Sequence, residues 1–388
     1  MRPLEGIRVL DLTRVLAGPF VGRMLADLGA DVVKVEPPEG DVSRHFGHRR
    51  GGQTGYYVQW NAGKRNISVD LTSSDGPDLV RRLADVADVV IENFRPGVLA
   101  SFELAWERLS TTNPGLVMLS ISGFGQEGPE SQRAAYAGII HAESGWLARQ
   151  ADHTGGAAFD SRLSVADTNA GLHGLVALLA ALRVKGITGV GQHIDLAMID
   201  AFVATDDYAH WVLDGGSVRQ GAGEIWESGT GPVIIMGDFR WVWKCANERL
   251  GLEDPTPDGA SLDEKIAARR AAWGAYLETF DDRRTMLARL DDANLAWGDV
   301  KEGPSVYRSP TLDHRRSVVE VDDRAGGTRS VVQSPYRLSE SATGVRGPAP
   351  HRGEHNEEVL AEWLVLDVDE ISTLVTSGAL LDDVPDEE

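Results

Sequence analysis

The chain has 388 residues, of which 59 are acidic and 38 are basic, and its formal net charge is −21. A field of that sign repels nucleic acid and anionic lipid, so we expect neither as a partner. At roughly 100–200 residues per domain, the length predicts two or three domains with room for a large core. The single cysteine, Cys245, excludes an internal disulfide and a cysteine-based metal cluster.

The sequence also bears on location. The N-terminal residues contain no apolar stretch of the kind that a secretory signal needs. The longest apolar run, residues 172–182, is interrupted by His173 and is too short to span a bilayer. We therefore expect a cytoplasmic protein with no membrane partner.

The first part of the chain alternates β-rich apolar runs with helical segments. Five strands are predicted, at residues 7–12, 31–36, 66–70, 88–92 and 116–121. Helices are predicted at residues 22–29 and 75–87. This alternation is typical of an α/β fold with a doubly wound, mostly parallel sheet, and predicts a Rossmann-like large domain. Ligands of such sheets bind beyond the carboxyl ends of the strands, so the loops after those ends are where a site is expected.

The second part of the chain begins with a long apolar helix, predicted at residues 168–183 with Asp167 at its start. A short strand at 193–196 and a helix at 198–213 follow. The composition changes near residue 215, and we place a second, smaller α+β domain at residues 215–340, with a charged helical stretch at 262–290. Residues 341–388, with helices at 354–364 and 369–377, are predicted to complete the large domain of residues 1–214.

Familiar catalytic motifs are missing. No GxGxxG follows a strand, and there is no GxxxxGK[ST], HExxH or GxSxG. The ten histidines show no pair with metal-ligand spacing, so no metal site is expected. Composition and periodicity alone therefore indicate an α/β enzyme of two domains and nothing more specific.

An ordered set of segments resembles the class III CoA-transferase family, which includes formyl-CoA transferase, carnitine CoA-transferase and α-methylacyl-CoA racemase. The segments are residues 11–20, 28–36, 40–41 with Arg44, 61–67 with 70–71, 92–97, 122–129, 188–195 and 348–364. Each motif is weak by itself, but together they follow the family's order over residues 1–205 and 340–380. Residues 215–340 match poorly.

The resemblance implies two loops that bind CoA. One contains Val15, Leu16, Ala17 and Gly18, and the other contains Asn93, Phe94, Arg95, Pro96 and Gly97. Glycines in such loops let the backbone approach a ligand closely, and loops at strand ends present free N–H groups to phosphates. Leu71 falls where the family packs adenine. Lys64 and Arg65 are candidates to pair with CoA phosphates, and Arg44 is a further one.

Asp167 matches the nucleophile of the family. From the residues alone it is a helix N-cap, a position that Asp favours. The two roles are compatible, because a helix N-terminus keeps a carboxylate ionised and an ionised carboxylate is what attacks a thioester.

Tyr136 separates two branches of the family, because the transferases carry Tyr at this position and the racemases carry His. Racemisation needs two bases beside the α-carbon, and a Tyr of pKa about 10 is a poor one. His141, five residues further on, is an alternative second base, although we expect it to pack or to hydrogen-bond locally. The glycines at 215–217 and 221–223 do not match the lid of oxalate-type transferases, so oxalate and formate are not the expected substrates.

The resemblance implies a CoA-transferase that moves CoA from an acyl-CoA donor to a carboxylic acid acceptor. The implied route passes through an aspartyl mixed anhydride and an enzyme–CoA thioester, with CoA as substrate and product and without a metal. It also implies a homodimer of interlocked chains. Two alternatives stay open: an acyl-CoA racemase or isomerase on the same scaffold, and a non-catalytic acyl-CoA-binding protein. The donor and the acceptor are not identified by the sequence.

Overall fold

The computed structural model describes residues 1–216 and 223–381, which form two compact units. The first unit takes in residues 1–209 and the described chain from residue 311 onward, and the second takes in residues 210–310. The glycines compared above with an oxalate-type lid fall partly on residues outside the described ranges.

The first unit contains most of the strands and helices. Its strands are β1 (Arg8–Asp11), β2 (Asp31–Glu36), β3 (Arg49–Arg50), β4 (Gln53–Thr54), β5 (Arg65–Ser68), β6 (Val89–Glu92), β7 (Val117–Ser122), β8 (Gln192–Ala197), β12 (Val318–Asp322) and β13 (Thr328–Val332). Its helices are α1 (Ala17–Leu28), α2 (Gly55–Asn61), α3 (Gly76–Asp85), α4 (Trp106–Thr112), α5 (Ala137–Glu143), α6 (Trp146–Thr154), α7 (Val165–Thr188), α8 (Met198–Ala204), α14 (Asn356–Leu364) and α15 (Val368–Thr376). Helices α9 (Ala209–Leu213) and α13 (Pro310–His314) lie where the chain passes between the units.

A parallel sheet of six strands forms the centre of this unit, in the order β5-β2-β1-β6-β7-β8. Side chains alternate between its faces. Leu10 and Val33 join a core cluster with α3, α4, α14 and α15, whereas Val9 and Val32 join one with α1, α5, α7 and α8. The predicted α/β architecture with a mostly parallel sheet is thus confirmed, because apolar helices cover both faces.

The winding direction of the sheet reverses between β1 and β6. The chain runs from β1 outward to β2 and β5, and then returns to build β6, β7 and β8 on the other side. The carboxyl ends of β1 and β6 therefore leave a crevice between their loops, which is where ligands bind in open α/β sheets.

Several helices differ from the prediction in their bounds. Helix α7 begins at Val165, ahead of the predicted start, and Asp167 lies in its first turn with Ser164 at the N-cap. The helix predicted at residues 198–213 is broken into α8 and α9. The N-cap reading of Asp167 is therefore wrong.

The second unit is α+β. An antiparallel sheet in the order β11-β10-β9 consists of β9 (Gly223–Trp226), β10 (Val233–Met236) and β11 (Trp297–Asp299), and the helices are α10 (Phe239–Leu250), α11 (Leu262–Glu278) and α12 (Arg283–Asp292). The stretch predicted at 262–290 is divided because the Asp282 side chain caps α12 by accepting from the Thr285 N–H. Trp273 and Leu277 are fully buried in its core.

Residues 311–340, which the sequence prediction assigned to the small domain, belong to the first unit. The β12–β13 hairpin buries Val321 and Val331 against Tyr57 and Val58 of α2. The Gln59 side chain also bonds to both the N–H and the C=O of Val332. These contacts account for the different boundary.

Helix α7 combines a buried face with an exposed apolar one. By length and composition it could cross a membrane, yet one face is buried within the fold and packs against α1, β7 and β8. On the opposite face Leu172, Val176, Val184 and Ile187 are exposed by 45%, 66%, 46% and 65%. We call these four residues the α7 stripe.

Candidate active site

A cavity of about 360 Å³ lies at the carboxyl edge of the sheet, beside the reversal of winding. Eight of the residues predicted for the site line it: Val15, Ala17, Asn93, Phe94, Arg95, Pro96, Tyr136 and Asp167. Two further predicted residues are buried beside the cavity. Leu16 is the N-cap of α1, and Gly18 lies in the first turn of that helix. Gly97 lines a neighbouring cavity of about 390 Å³. The two loops and the proposed nucleophile are therefore brought together.

The carboxylate of Asp167 lies where the N-termini of three helices converge. It accepts from the backbone N–H groups of Ala17, the first residue of α1, of Ala137, the first residue of α5, and of Asp167 itself. Free N–H groups at helix starts favour negative charge. The same groups can stabilise an oxyanion that forms on this carboxyl group.

Burial raises the pKa of Asp167 to about 6, while the three backbone N–H groups act in the opposite direction. The side chain is consequently ionised at neutral pH, but it is poorly hydrated. A poorly hydrated, ionised carboxylate is a stronger nucleophile than one in bulk water.

The first loop is held in a strained conformation at Val15, whose φ is 69°. A β-branched residue in this left-handed region is a genuine outlier, and such outliers persist only when their surroundings enforce them. The carboxylate of Asp41 supplies that enforcement, because it accepts the Val15 N–H and also pairs with Lys34 Nζ at 2.9 Å. Although burial acts to raise it, Lys34 and the Ser43 N–H lower the pKa of Asp41 to about 2.

The second loop is tied to the first by a reciprocal pair of hydrogen bonds. The Arg14 N–H donates to Asn93 Oδ1, and Asn93 Nδ2 donates to the Arg14 C=O, both at 2.9 Å. The Phe94 N–H donates to Glu92 Oε2 at 2.8 Å. The Arg14 guanidinium lies 5.5 Å from the centre of the Phe94 ring. The two loops thus form one wall of the cavity.

The cavity carries positive charge in a chain that is strongly acidic. Arg14, Arg95 and Arg133 all line it. Arg133 pairs with Glu130 and Glu143, whereas Arg14 and Arg95 have no ion pair within residues 1–216 and 223–381. Two guanidiniums without a carboxylate partner are suited to an anionic ligand.

Lys64 does not lie where a CoA phosphate could reach it. Its side chain is fully buried, and Nζ bonds to Asp11 Oδ2 at 2.8 Å, to Asn61 Oδ1 at 2.9 Å and to the Pro19 C=O at 3.0 Å. Arg44 is likewise buried against Glu36, at 2.8 Å. The basic residues of these motifs support the fold beneath the loops, which corrects the phosphate role predicted for them.

Arg65 and Leu71 also lie away from the cavity. Arg65 begins β5 and pairs with Asp31, the first residue of β2, and with Glu358 and Glu362 of α14. The starts of parallel strands lie at the edge opposite to the two loops that line the cavity, so Arg65 is not placed to bind a ligand in that cavity. Leu71 packs against the core cluster on the α3 side of the sheet and does not line the cavity.

The sequence prediction assigned no role to two residues with shifted pKa values, Tyr56 and Asp41. Burial and the negative charges of Asp167 and Asp41 raise the pKa of Tyr56 to about 12, although Tyr56 does not line the cavity. Asp41 was recognised in a motif but was given no role. The Gly40-Asp41 pair follows the carboxyl end of β2, where site loops are expected, and this position could have identified Asp41 from the sequence.

Comparisons with known proteins agree with this geometry. The model of "CoA-transferase family III" matches residues 4–356. Succinate–glutarate CoA-transferase of Agrobacterium fabrum is 33% identical, over 93% of this chain and 95% of that protein. Formyl-CoA:oxalate CoA-transferase of Streptomyces avermitilis is 30% identical, over 98% of this chain and 100% of that protein.

A solved structure supports the same assignment. A CAIB/BAIF family protein from Brucella suis superposes with a TM-score of 0.80 and 32% identity, covering 93% of this chain and 99% of that one. The family model and these relatives span nearly the whole chain, including the divergent small unit. This chain belongs to CoA-transferase family III and is an enzyme that transfers CoA.

Proposed function

We propose that Asp167 is the nucleophile that carries the acyl group and then CoA. The observation that supports this most strongly is the position of its carboxylate, partly buried in the cavity and facing the starts of α1 and α5. Among the residues that line the cavity, Asp167 is the one carboxylate, and the backbone N–H groups of Ala17 and Ala137 face it.

The proposed reaction begins when a carboxylate oxygen of Asp167 attacks the carbonyl carbon of the donor thioester. The C–S bond breaks, CoA leaves as the thiolate, and an aspartyl–acyl anhydride remains. The thiolate then attacks Cγ of Asp167, and the donor acid leaves as a carboxylate. The enzyme is now a CoA thioester at Asp167.

The acceptor then reverses these steps. Its carboxylate attacks Cγ of Asp167, the thiolate leaves again, and a new anhydride forms. Attack of the thiolate on the acceptor carbonyl gives the new acyl-CoA and frees Asp167. Each attack on Cγ produces an oxyanion on the aspartyl group, and the N–H groups of Ala17 and Ala137 are placed to stabilise it.

We further propose that the substrates are dicarboxylic acids and their CoA thioesters. The two relatives above are named for succinate and glutarate and for oxalate, and the cavity holds Arg14 and Arg95 without carboxylate partners. The non-reacting carboxylate of a dicarboxylic acid would pair with one of these guanidiniums. The other is available to the phosphates of CoA.

A comparison of acceptors tests this proposal. With succinyl-CoA as donor, glutarate and butyrate are compared in the wild type, Arg14→Gln and Arg95→Gln. We expect glutarate to be preferred, and one variant to raise KM for glutarate and for succinyl-CoA without weakening the binding of free CoA. A variant that weakens the binding of free CoA has lost a contact to the phosphates instead. Equal use of butyrate and glutarate by the wild type would contradict the dicarboxylate proposal.

We expect no exchange of α-protons, because Tyr136 is where the racemases carry His. Tyr136 lines the cavity and is 73% exposed, and a phenol is a poorer base than an imidazole for removing an α-proton. Incubation of the enzyme with 2-methylacyl-CoA in deuterium oxide tests this. Rapid uptake of deuterium at the α-carbon would favour the racemase alternative.

The homodimer and the cytoplasmic location remain predictions. The α7 stripe supports the homodimer, because four exposed aliphatic side chains on one helix face are typical of a surface that another chain covers. We propose that a second copy of this chain covers the stripe.

A further inference from the structure

His141 lies in α5, fully buried beside the nucleophile helix. Its ring packs against two aromatic neighbours, with ring centres 4.6 Å from Trp146 and 5.4 Å from Phe202. Both contacts fix the plane of the imidazole, so the directions of its two nitrogens are set by packing.

One ring nitrogen of His141 accepts a hydrogen bond from the first turn of α7. The Ala166 N–H donates to Nε2 of His141 at 3.1 Å. The first N–H groups of a helix have no partner within the helix and need an acceptor from elsewhere. Ser164, at the N-cap, makes no side-chain bond to the helix, and the imidazole of His141 takes the place of that cap.

The other ring nitrogen fixes the position of the proton. Nδ1 of His141 lies 2.8 Å from Oδ1 of Asp160. Because Nε2 accepts from Ala166, its lone pair is occupied and the proton of the neutral ring lies on Nδ1. Asp160 accepts that proton's hydrogen bond and thereby stabilises the tautomer that can cap the helix.

We infer that His141 is a positioning residue for the nucleophile, which it orients by capping the turn of α7 that carries Asp167. Ala166 directly precedes Asp167, so an anchored Ala166 N–H holds the carboxylate toward the N–H groups of Ala17 and Ala137. This inference rests on the proposed role of Asp167. It also assigns both nitrogens of His141 to structural bonds, which leaves no free nitrogen to remove a proton from a substrate.

Three variants test the role by kinetics. His141→Ala removes the acceptor, and we expect kcat to fall about tenfold to a hundredfold, the range for a misplaced catalytic group, with KM for acyl-CoA changed less than about twofold. His141→Gln supplies an amide oxygen that can accept from Ala166 but cannot act as a base, and should restore kcat to within a few fold. Asp160→Ala should fall between them. Wild-type kcat in His141→Ala, or equal losses in His141→Ala and His141→Gln, would overturn the inference.

The tautomer of His141 can be measured in the wild-type protein, so this test does not require the variants to fold. In nitrogen-15 NMR of histidine-labelled enzyme, we expect His141 to carry its proton on Nδ1 and an unprotonated Nε2 that is coupled to the Ala166 amide. A proton on Nε2 would overturn the inference. The same spectrum of Asp167→Asn should show the same tautomer. If Asp167→Asn kept full transfer activity, the proposed function would fail while the tautomer result still stood, so the two failures are distinguishable.

Discussion

The Val15 N–H donates to both carboxylate oxygens of Asp41, at 3.2 Å from each. The bond holds a β-branched residue at φ 69°, in a conformation that costs roughly 1–2 kcal/mol. Two residues further on, the Ala17 N–H faces Asp167 and acts to lower its pKa. We expect the conformation of Val15 to set the orientation of this N–H group toward the proposed nucleophile.

Val15→Gly should relieve that strain. We expect a gain in the free energy of unfolding of up to about 1 kcal/mol, after glycine's own entropic cost of roughly 0.5–1 kcal/mol. The matched control is Val86→Gly, since Val86 is also partly exposed but has a φ of −110°. The control should lose about 1 kcal/mol in urea unfolding. Equal losses in the two variants would show that Val15 is not strained.

Lys64→Met should reduce stability rather than CoA binding. The buried Lys64 pairs with Asp11, so its removal leaves the Asp11 carboxylate as an uncompensated buried charge. Breaking a buried ion pair in this way costs about 3–5 kcal/mol. The control Lys244→Met removes an exposed lysine and should change stability by less than about 0.5 kcal/mol. Unfolding midpoints and CoA titrations are to be measured together. If the Lys64→Met protein had normal stability but bound CoA weakly, Lys64 would bind a CoA phosphate after all.

The pKa of Asp167 predicts opposite effects on activity and stability. Because only the ionised carboxylate attacks, kcat/KM should rise with pH through about 6 and level above it. The folded-state pKa is raised, so Asp167 contributes stability that is complete below its unfolded pKa and is lost as pH rises through about 6.

Asp167→Asn removes this penalty of ionisation. Relative to the wild type, its free energy of unfolding should increase as pH rises from about 4 to 6 and reach an advantage of about 3 kcal/mol at pH 8. Urea unfolding at several pH values gives the difference directly. A constant difference across that range would show that Asp167 is not perturbed by burial.

Periodicity and the ends of the strands made much of the fold predictable. Strand β2 has the predicted bounds, and the rule that ligands bind at carboxyl ends correctly grouped Val15 with Asn93. The partners of basic residues could not be predicted in this way. Lys64 and Asp11 are 53 residues apart, and their pairing depends on the strand order, which places β1 and β5 on the two sides of β2.

The start of α7 was mispredicted for a related reason. Asp167 is a favourable N-cap by residue type, but the acceptor for this helix comes from His141 on α5. A cap supplied from another helix leaves no pattern within the segment itself, and the helix begins earlier than its own sequence suggests.

The α7 stripe tests the predicted homodimer. Val176→Glu places a charge at the centre of the stripe, and we expect the dimer to dissociate in sedimentation at micromolar concentration. Val368→Glu is the control, because Val368 is 78% exposed and lies on α15, away from the stripe. A monomeric wild type, or a dimer that tolerates Val176→Glu, would contradict the proposed interface.

The covalent state of Asp167 during turnover tests the central claim most directly. The enzyme is held with succinyl-CoA, treated with hydroxylamine, digested and analysed by peptide mass spectrometry, with Asp167→Asn carried through in parallel. We predict an aspartyl hydroxamate at position 167 in the wild type, none in Asp167→Asn, and nearly complete loss of transfer in that variant. A hydroxamate on another carboxylate, or wild-type transfer by Asp167→Asn, would contradict the mechanism.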